Sequence, residues 1–217
     1  MLKCQFHTHC FGDPVDTISY TPERLIDEAK MLKYDVLAIT AHTKVIFSEQ
    51  LKKYAEEKEI FLIQSIEMRI GRRDILCINI NEKIEKIKTF KELREYKRMH
   101  PHCLIIAPHP YFPGPSLFGK LKKNIDIFDA IENSFFYTKF INFNRFARTT
   151  AKRYNKPIVA TSDCHILKYL DIGYTEIDSE KSISSIFSAI KQNKIKISTS
   201  PLSIFKMIKI FFEMLLI

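Results

Sequence analysis

The chain has 217 residues, a formal net charge of +9 at pH 7 and a sequence pI near 9.2. This length allows one domain with a full hydrophobic core, and the absence of low-complexity tracts or short-period repeats excludes a fibrous or repeat protein. The basic charge favours anionic substrates, of which phosphate is the obvious candidate. A stable nucleic-acid partner is not implied, because no basic run is interleaved with aromatic residues.

The five cysteines are odd in number and show no CxxC spacing, so we predict no disulfide framework and a reducing compartment. Cys10 and Cys164 adjoin histidine motifs, but we interpret them as packing residues. The first residues, MLKCQFHTHC, contain no apolar segment of the kind found in a cleaved signal peptide. We therefore expect a cytoplasmic protein.

Short apolar runs along the chain predict β-strands, and amphipathic segments between most of them predict helices. The strands are predicted at about residues 2–6, 35–40, 60–66, 75–80, 103–107, 126–132, 157–161 and 172–177. Helices are predicted from Thr21-Pro22 onward and over 48–58, 89–99, 142–154 and 182–193. This alternation favours a parallel sheet, and the number of units favours a closed barrel over an open sheet.

The C-terminal segment, residues 201–217, is unusually apolar. Its charged residues, Lys206, Lys209 and Glu213, fall on one narrow helical stripe. With 17 residues and three charges, it is a poor candidate for a membrane span. We predict a barrel domain over 1–200 followed by a helix packed on the barrel or in a homo-oligomer interface, with a membrane-surface helix as the alternative.

Most of the histidines lie at or just after the carboxyl end of a predicted strand, and three acids share that position. The residues are His7, His9, His42, Glu67, His109, Glu132, Asp163 and His165. In an α/β barrel, side chains from many strands converge at this one end. The distribution therefore predicts a metal centre with more than one ion.

His7 and His9 are two residues apart in an extended segment, so both project to the same side and can bind one ion. Asp163 and His165 repeat this spacing after the seventh strand, and the two motifs together are specific. Glu67 follows the apolar run FLIQSI, where a carboxylate is costly unless it is paired or metal-bound.

Other candidates are weaker when taken singly. His42 and His109 gain their value from occupying equivalent strand exits. Three acids lie in predicted loops or turns, where a carboxylate is most simply exposed to solvent. They are Asp13, Asp16 and Asp74. His100 and His102 precede a strand and are interpreted as loop residues. Arginines that could hold a phosphate are Arg72, Arg73, Arg145 and Arg148.

The motifs FHTH, ITAH, SIE, APHP and TSDCH followed by IGYTEI resemble those of the PHP (polymerase and histidinol phosphatase) family, over about residues 5–178. The closest likeness is to its small stand-alone metal-dependent phosphoesterases. The resemblance implies a distorted TIM-like (β/α)7 barrel. It also implies a cleft holding two to three divalent ions, such as Mn, Zn or Fe.

Carried over from the family, the ligands of the first ion are His7, His9, Glu67 and Asp163. The second ion would take His42 and His165 with Asp16, which we prefer over Asp13. The third would take Glu67 and His109, with Asp74 standing where many relatives carry histidine. Ala41 replaces the acid of the family's second motif, which removes a hydrogen bond that would orient His42.

The function implied is hydrolysis of a phosphate ester by a metal-activated water. The ligand histidines and acids, His7, His9, His42, Glu67, His109, Asp163 and His165, would form the catalytic centre. Substrates within this class are nucleotide 3',5'-bisphosphates, short RNA 5' ends and small-metabolite phosphates. The alternative is a non-catalytic metal-dependent binding module. Amide hydrolysis is disfavoured, because no lysine follows a strand as a carbamate bridge requires.

Overall fold

A nine-stranded mixed sheet organises residues 1–215, which are the residues that the computed structural model describes. The strands are β1 (Leu2–Gln5), β2 (Val36–Ile39), β3 (Phe61–Ile70), β4 (Arg73–Ile78), β5 (Leu104–Ala107), β6 (Ala130–Ser134), β7 (Ile158–Thr161), β8 (Gly173–Ile177) and β9 (Ile195–Thr199). Their order across the sheet is β7-β6-β5-β4-β3-β2-β1-β8-β9.

The sheet curls until β7 meets β8 across a side-chain contact. The Thr175 hydroxyl donates to the Ala160 carbonyl at 2.8 Å and accepts from the Ala160 backbone N–H at 2.9 Å. This contact takes the place of a regular backbone ladder at the closure. The predicted distorted TIM-like barrel is confirmed.

Simple alternation of strands and helices predicts a parallel sheet, but the observed sheet is mixed. Strands β1, β2 and β3 run parallel to one another, and so do β5, β6 and β7. In contrast, β4 is antiparallel to both β3 and β5, because a tight turn at Gly71 joins β3 to β4 without a helix. Gly71 has φ +62°, which glycine adopts without strain. Strands β8 and β9 are also antiparallel to the strands they pair with.

Five helices and three short 3-10 turns lie between the strands within residues 1–215, and a sixth helix follows the last strand. The helices are α1 (Pro22–Met31), α2 (Glu49–Glu57), α3 (Phe90–Met99), α4 (Asn144–Arg153), α5 (Ile183–Lys191) and α6 (Ile204–Met214). As predicted, Thr21 caps α1 by accepting a hydrogen bond from the Arg24 N–H. Thr89 and Glu92 form a reciprocal capping box at α3. These caps fix where each helix begins relative to the strand before it.

Helix α6 packs on the barrel by one face. Ile210 is buried against Phe135 and Leu202, and the Glu213 carboxylate accepts from Lys168 Nζ at 2.8 Å and Tyr169 Oη at 2.7 Å. The opposite face is exposed. No helix within residues 1–215 is both long and apolar enough to cross a bilayer. Residues 216 and 217 of the predicted terminal segment lie outside the described residues.

Ending the chain at Ser200 is expected to lower the stability of the barrel. Leu202 and Ile210 are almost fully buried, so losing both removes about 3–6 kcal/mol of apolar burial. The lost stability should appear as a lower thermal unfolding midpoint, with Phe135 left uncovered. An unchanged midpoint in a monomeric truncated chain, together with binding of the full chain to anionic vesicles, would instead assign α6 to a membrane surface.

Candidate metal centre

The side chains predicted as ligands meet at one end of the barrel. Strand β1 leads into His7 and His9, β2 into His42, β5 into His109, and β7 into Asp163 and His165. Glu67 lies within β3. Asp74 lies near the start of β4, because that strand runs antiparallel and brings its amino-terminal end to the site. The structure therefore brings together all nine of the predicted metal ligands, counting Asp16.

Four of these residues form the core of the site. The Nε2 atom of His7 is 3.2 Å from Glu67 Oε2 and 3.2 Å from Asp163 Oδ1. His9 Nε2 is 3.4 Å from the same Glu67 oxygen and 3.3 Å from the same Asp163 oxygen. Four ligand atoms from three strands thus face one point, which is the arrangement of a protein metal site.

The core atoms are buried without hydrogen-bond partners. His7 Nε2, His9 Nε2 and Asp163 Oδ1 have no hydrogen bond within residues 1–215, and neither does Glu67 Oε1. Buried polar atoms without partners are costly, and proteins rarely leave several of them side by side. Two imidazoles and two carboxylates are the donor set that divalent Zn, Mn or Fe accepts. The residues therefore fit a divalent cation.

A second group of donors adjoins the core. His165 Nε2 is 3.1 Å from Asp16 Oδ2, and His42 Nδ1 is 3.3 Å from that same oxygen. His42 Nε2 is also 3.1 Å from Glu67 Oε2. The Glu67 carboxylate thus contacts both groups, as a carboxylate that bridges two ions must.

Asp13, which appeared from sequence to be a solvated loop acid, has a fully buried side chain behind two of the histidines. His9 Nδ1 donates to Asp13 Oδ2 at 2.9 Å, and the His42 backbone N–H donates to the same oxygen at 2.9 Å. Burial alone raises the pKa of Asp13, but the hydrogen bonds from His42 and His9 lower it below its ordinary value. Asp13 thus orients His42, the task that the acid missing at Ala41 would have performed.

Glu132 holds the other side of the core and is completely buried. His7 Nδ1 donates to Glu132 Oε1 at 2.9 Å, and the Thr161 hydroxyl donates to the same oxygen. The second oxygen accepts the backbone N–H of His109. The hydrogen bond from His7 to Glu132 fixes the proton of His7 on Nδ1 and leaves Nε2 free to face the core. The sequence placed Glu132 at a strand exit without giving it this task.

Two of the predicted ligands have strained backbones. His109 has φ 24° and Asp163 has φ 42°, in the left-handed region that residues other than glycine rarely adopt. Such conformations cost about 1–3 kcal/mol each and persist where surrounding contacts impose them. Next to Asp163, the backbone of Cys164 pairs with both His7 and His9. The strain therefore accompanies fixed placement of the ligand side chains.

Comparisons with known proteins agree with this architecture. A family model described as PHP-associated matches residues 142–195. A two-domain Bacteroides vulgatus protein containing a predicted PHP-like metal-dependent phosphoesterase superposes with a TM-score of 0.71 at 20% identity, over 98% of this chain and 69% of that chain. The fold is PHP-type. The PHP resemblance predicted from the motifs is confirmed.

Other proteins resemble this chain in structure or in sequence at low identity. PsfC from Pseudomonas syringae has a TM-score of 0.66 at 14% identity, over 100% of this chain and 99% of that chain. The lesion-specific endonuclease EndoQ from Pyrococcus furiosus has a TM-score of 0.65 at 15% identity, over 90% and 57%. An uncharacterized protein of Methanocaldococcus jannaschii is 28% identical over 114 residues, which are 50% of this chain and 66% of that relative's length.

The region of the site beside Asp74 contains a cation of the chain itself. Asp74 is buried and accepts a hydrogen bond from Arg69 Nε at 2.5 Å, across the β3–β4 pair. Burial and the nearby Glu67 charge raise the pKa of Asp74, although Arg69 opposes them. His109 Nε2 is 3.4 Å from Glu67 Oε1. Sequence reasoning missed Arg69, which follows Glu67 by two residues in an extended strand and so shares its face.

Two histidines of the site, His109 and His165, have pKa values above the ordinary range for histidine. Burial alone lowers the pKa of His165, but the charge of Asp163 and the hydrogen bond to Asp16 outweigh it and raise the pKa to about 9. For His109, burial is likewise outweighed by Glu67, Asp163 and Glu132, and its pKa also rises to about 9. Metal binding must displace protons from these histidines, so metal affinity should fall as the pH is lowered.

The weaker sequence candidates lie elsewhere in the PHP fold or outside the donor groups. His100 ends α3, with its ring 4.3 Å from that of Tyr96, and His102 is an exposed loop residue. The Arg73 guanidinium donates to the Ser116 carbonyl, and Arg148 donates to Asn133. Cys10 and Cys164 are buried free thiols and belong to none of the donor groups found in residues 1–215.

Proposed function

We propose that this protein is a metal-dependent phosphoesterase, which hydrolyses a phosphate ester at the centre just described. The observation that carries the proposal is that the cluster of buried donor atoms, unpartnered within residues 1–215, adjoins a cavity of about 400 Å³ through Glu67 and Asp163. The cavity is lined by His42, Glu67, Asp163 and His165, among others. A purely structural metal site is closed by protein ligands, whereas a catalytic one keeps an open side for substrate.

The donor groups support about two ions. We propose that the first is held by His7, His9, Glu67 and Asp163, and the second by Asp16, His42 and His165, with Glu67 shared. His109 and Asp74 remain candidates for a third ion beside Glu67. The positive charge of Arg69 on Asp74 weakens the attraction of that position for a further cation.

When bound, divalent ions would supply Lewis acidity that polarises the phosphoryl group and acidifies a water. The chain's own residues prepare this chemistry. Asp13 holds the imidazoles of His9 and His42, and Glu132 holds that of His7. Arg69 lines the cavity, where its guanidinium can donate to phosphoryl oxygens. Hydrolysis forms a bond from the water oxygen to phosphorus and breaks the ester P–O bond. A proton from the water ends on the oxygen of the alcohol that leaves.

The structural relatives support this class of reaction. One contains a predicted metal-dependent phosphoesterase and another is a lesion-specific endonuclease, so both names refer to phosphoester chemistry on the same fold. Nucleotide 3',5'-bisphosphates, short RNA 5' ends and small-metabolite phosphates are all candidate substrates. The alternative of a non-catalytic binding module rested on Ala41 and the substituted third site. Asp13 weakens that alternative, because it supplies the contact to His42 that Ala41 lacks.

A direct assay tests the proposal. Protein loaded with Mn²⁺ is expected to release phosphate or alcohol from at least one member of a panel of phosphorylated metabolites and 5'-phosphorylated oligonucleotides. Chelation should stop the reaction and added Mn²⁺ should restore it, because the water has no other activator in the proposed mechanism. Glu67→Gln is the matched inactive control. Metal-loaded protein that turns over no ester in the panel would favour the binding module.

A further inference from the structure

The cavity at the metal centre has an apolar wall that hydrolysis of the phosphoryl group does not require. A volume of about 400 Å³ is in the range of pockets that hold a whole small molecule, and a phosphoryl group fills a fraction of it. Besides the metal donors, Arg69 and two serines, the cavity is lined by apolar residues, which include Val15, Phe112, Phe136, Phe211, Met214 and Leu215. The alcohol part of a substrate would meet these side chains.

Three residues of this wall, Phe211, Met214 and Leu215, come from α6 and the residue after it, and the helix is firmly attached. Ile210 is 1% exposed, and Glu213 is hydrogen-bonded to Lys168 and Tyr169. Ile210 precedes Phe211 and Glu213 follows it. Their contacts therefore fix the rotation of the helix about its axis, and with it the direction in which the Phe211 ring points. Phe211 faces the cavity and is still 51% exposed, which leaves apolar surface for a ligand to cover.

Two further residues of the wall, Phe112 and Phe136, belong to an aromatic cluster. The ring of Phe112 lies 5.6 Å from that of Phe136 at 78° and 5.7 Å from that of Phe143 at 79°. These edge-to-face contacts hold the Phe112 ring in place. Rings on the cavity side offer faces and edges to a flat ligand. They offer no hydrogen bond to a polyol.

We propose that the catalytic pocket selects phosphate esters whose alcohol carries a flat aromatic group, with Phe211 as a specificity-determining residue. This inference rests on the proposed phosphoesterase function and deepens it. The phosphoryl group binds at the metal donors and Arg69, and the aromatic group binds against Phe112, Phe136 and Phe211. A small polyol phosphate leaves that wall in contact with water and gains nothing from it.

The test compares two esters that share the phosphoryl group. The wild-type protein loaded with Mn²⁺ is expected to show a higher kcat/KM for 1-naphthyl phosphate than for glycerol 2-phosphate, mainly through a lower KM. Phe211→Ala should lower kcat/KM for the naphthyl ester about tenfold and so reduce the preference. Phe205→Ala is the matched control, since it removes the same ring from the same helix at a position that is 87% exposed and does not line the cavity.

Calorimetric binding of 1-naphthylphosphonate and methylphosphonate separates this inference from the proposed function. Tighter binding of the naphthyl compound, weakened by Phe211→Ala and unaffected by Phe205→Ala, supports the aromatic subsite whether or not any ester turns over. Equal affinities for the two phosphonates overturn the subsite, as does a Phe211→Ala variant that behaves like Phe205→Ala. Failure to hydrolyse any ester overturns the phosphoesterase proposal, and the phosphonate affinities still decide the subsite.

Discussion

Asp163→Ala is expected to lose both bound metal and phosphoester hydrolysis, whereas His165→Ala is expected to lose one ion and retain another. Asp163 Oδ1 contacts both core imidazoles, at 3.2 Å to His7 and 3.3 Å to His9, so its removal opens the core. His165 Nε2 lies 3.1 Å from Asp16 Oδ2 in the second group, and its Nδ1 lies 3.4 Å from Asp163 Oδ1 at the edge of the core. The loss of activity in Asp163→Ala should exceed the roughly 10–100-fold effect typical of residues that only orient a ligand.

Elemental analysis of the purified variants measures this difference directly. Asp178→Ala and His102→Ala are the matched controls, because both positions are exposed and neither belongs to a donor group. Both controls should keep the metal content and activity of the unchanged chain. Equal metal loss in Asp163→Ala and His165→Ala would contradict separate ion positions, and full metal retention in both would remove these residues from the centre.

Asp13→Asn is expected to weaken metal binding by roughly 10–100-fold while leaving the number of ions at saturation unchanged. The side chain accepts from His9 Nδ1 and from the His42 backbone N–H, and its pKa lies below the ordinary value because of these donors. An amide keeps the shape but removes the charge that holds two imidazoles. A calorimetric titration with Mn²⁺ measures the metal affinity and the number of ions bound at saturation.

Asp27→Asn provides the control for this variant. Asp27 also accepts hydrogen bonds, from Tyr54 and Lys58, but it lies on α1 outside the donor groups. Its replacement should leave Mn²⁺ affinity unchanged. If Asp13→Asn lowered the number of ions bound at saturation, Asp13 would be a ligand and the preference for Asp16 would be wrong.

The convergence of the ligand side chains could be predicted from sequence because strand exits are readable. Short apolar runs mark the strands, and the residue at the end of each run marks the exit. His7, His9, His42 and His165 could thus be assigned to one end of a barrel before any coordinates were known. The same logic predicted the Thr21 cap of α1.

The structure differs from the sequence-based predictions where residues that are neighbours in space are distant in sequence. Asp13 appeared to be an ordinary loop acid, since nothing local shows that its loop folds back over His42. The β3–β4 hairpin is set by the tight turn at Gly71, and it places Asp74 next to Arg69 instead of presenting it to solvent. Strand β9 was missed because it is a partly exposed edge strand that merges with the apolar tail.

The most direct test of the account is the rate of phosphoester hydrolysis measured against bound Mn²⁺ per chain in one titration. We expect no hydrolysis by the metal-free chain, and a rate that rises to a plateau at about two ions per chain. The decisive result against it would be a fully loaded chain that hydrolyses no ester, or a chelated chain that hydrolyses one as fast as the loaded protein.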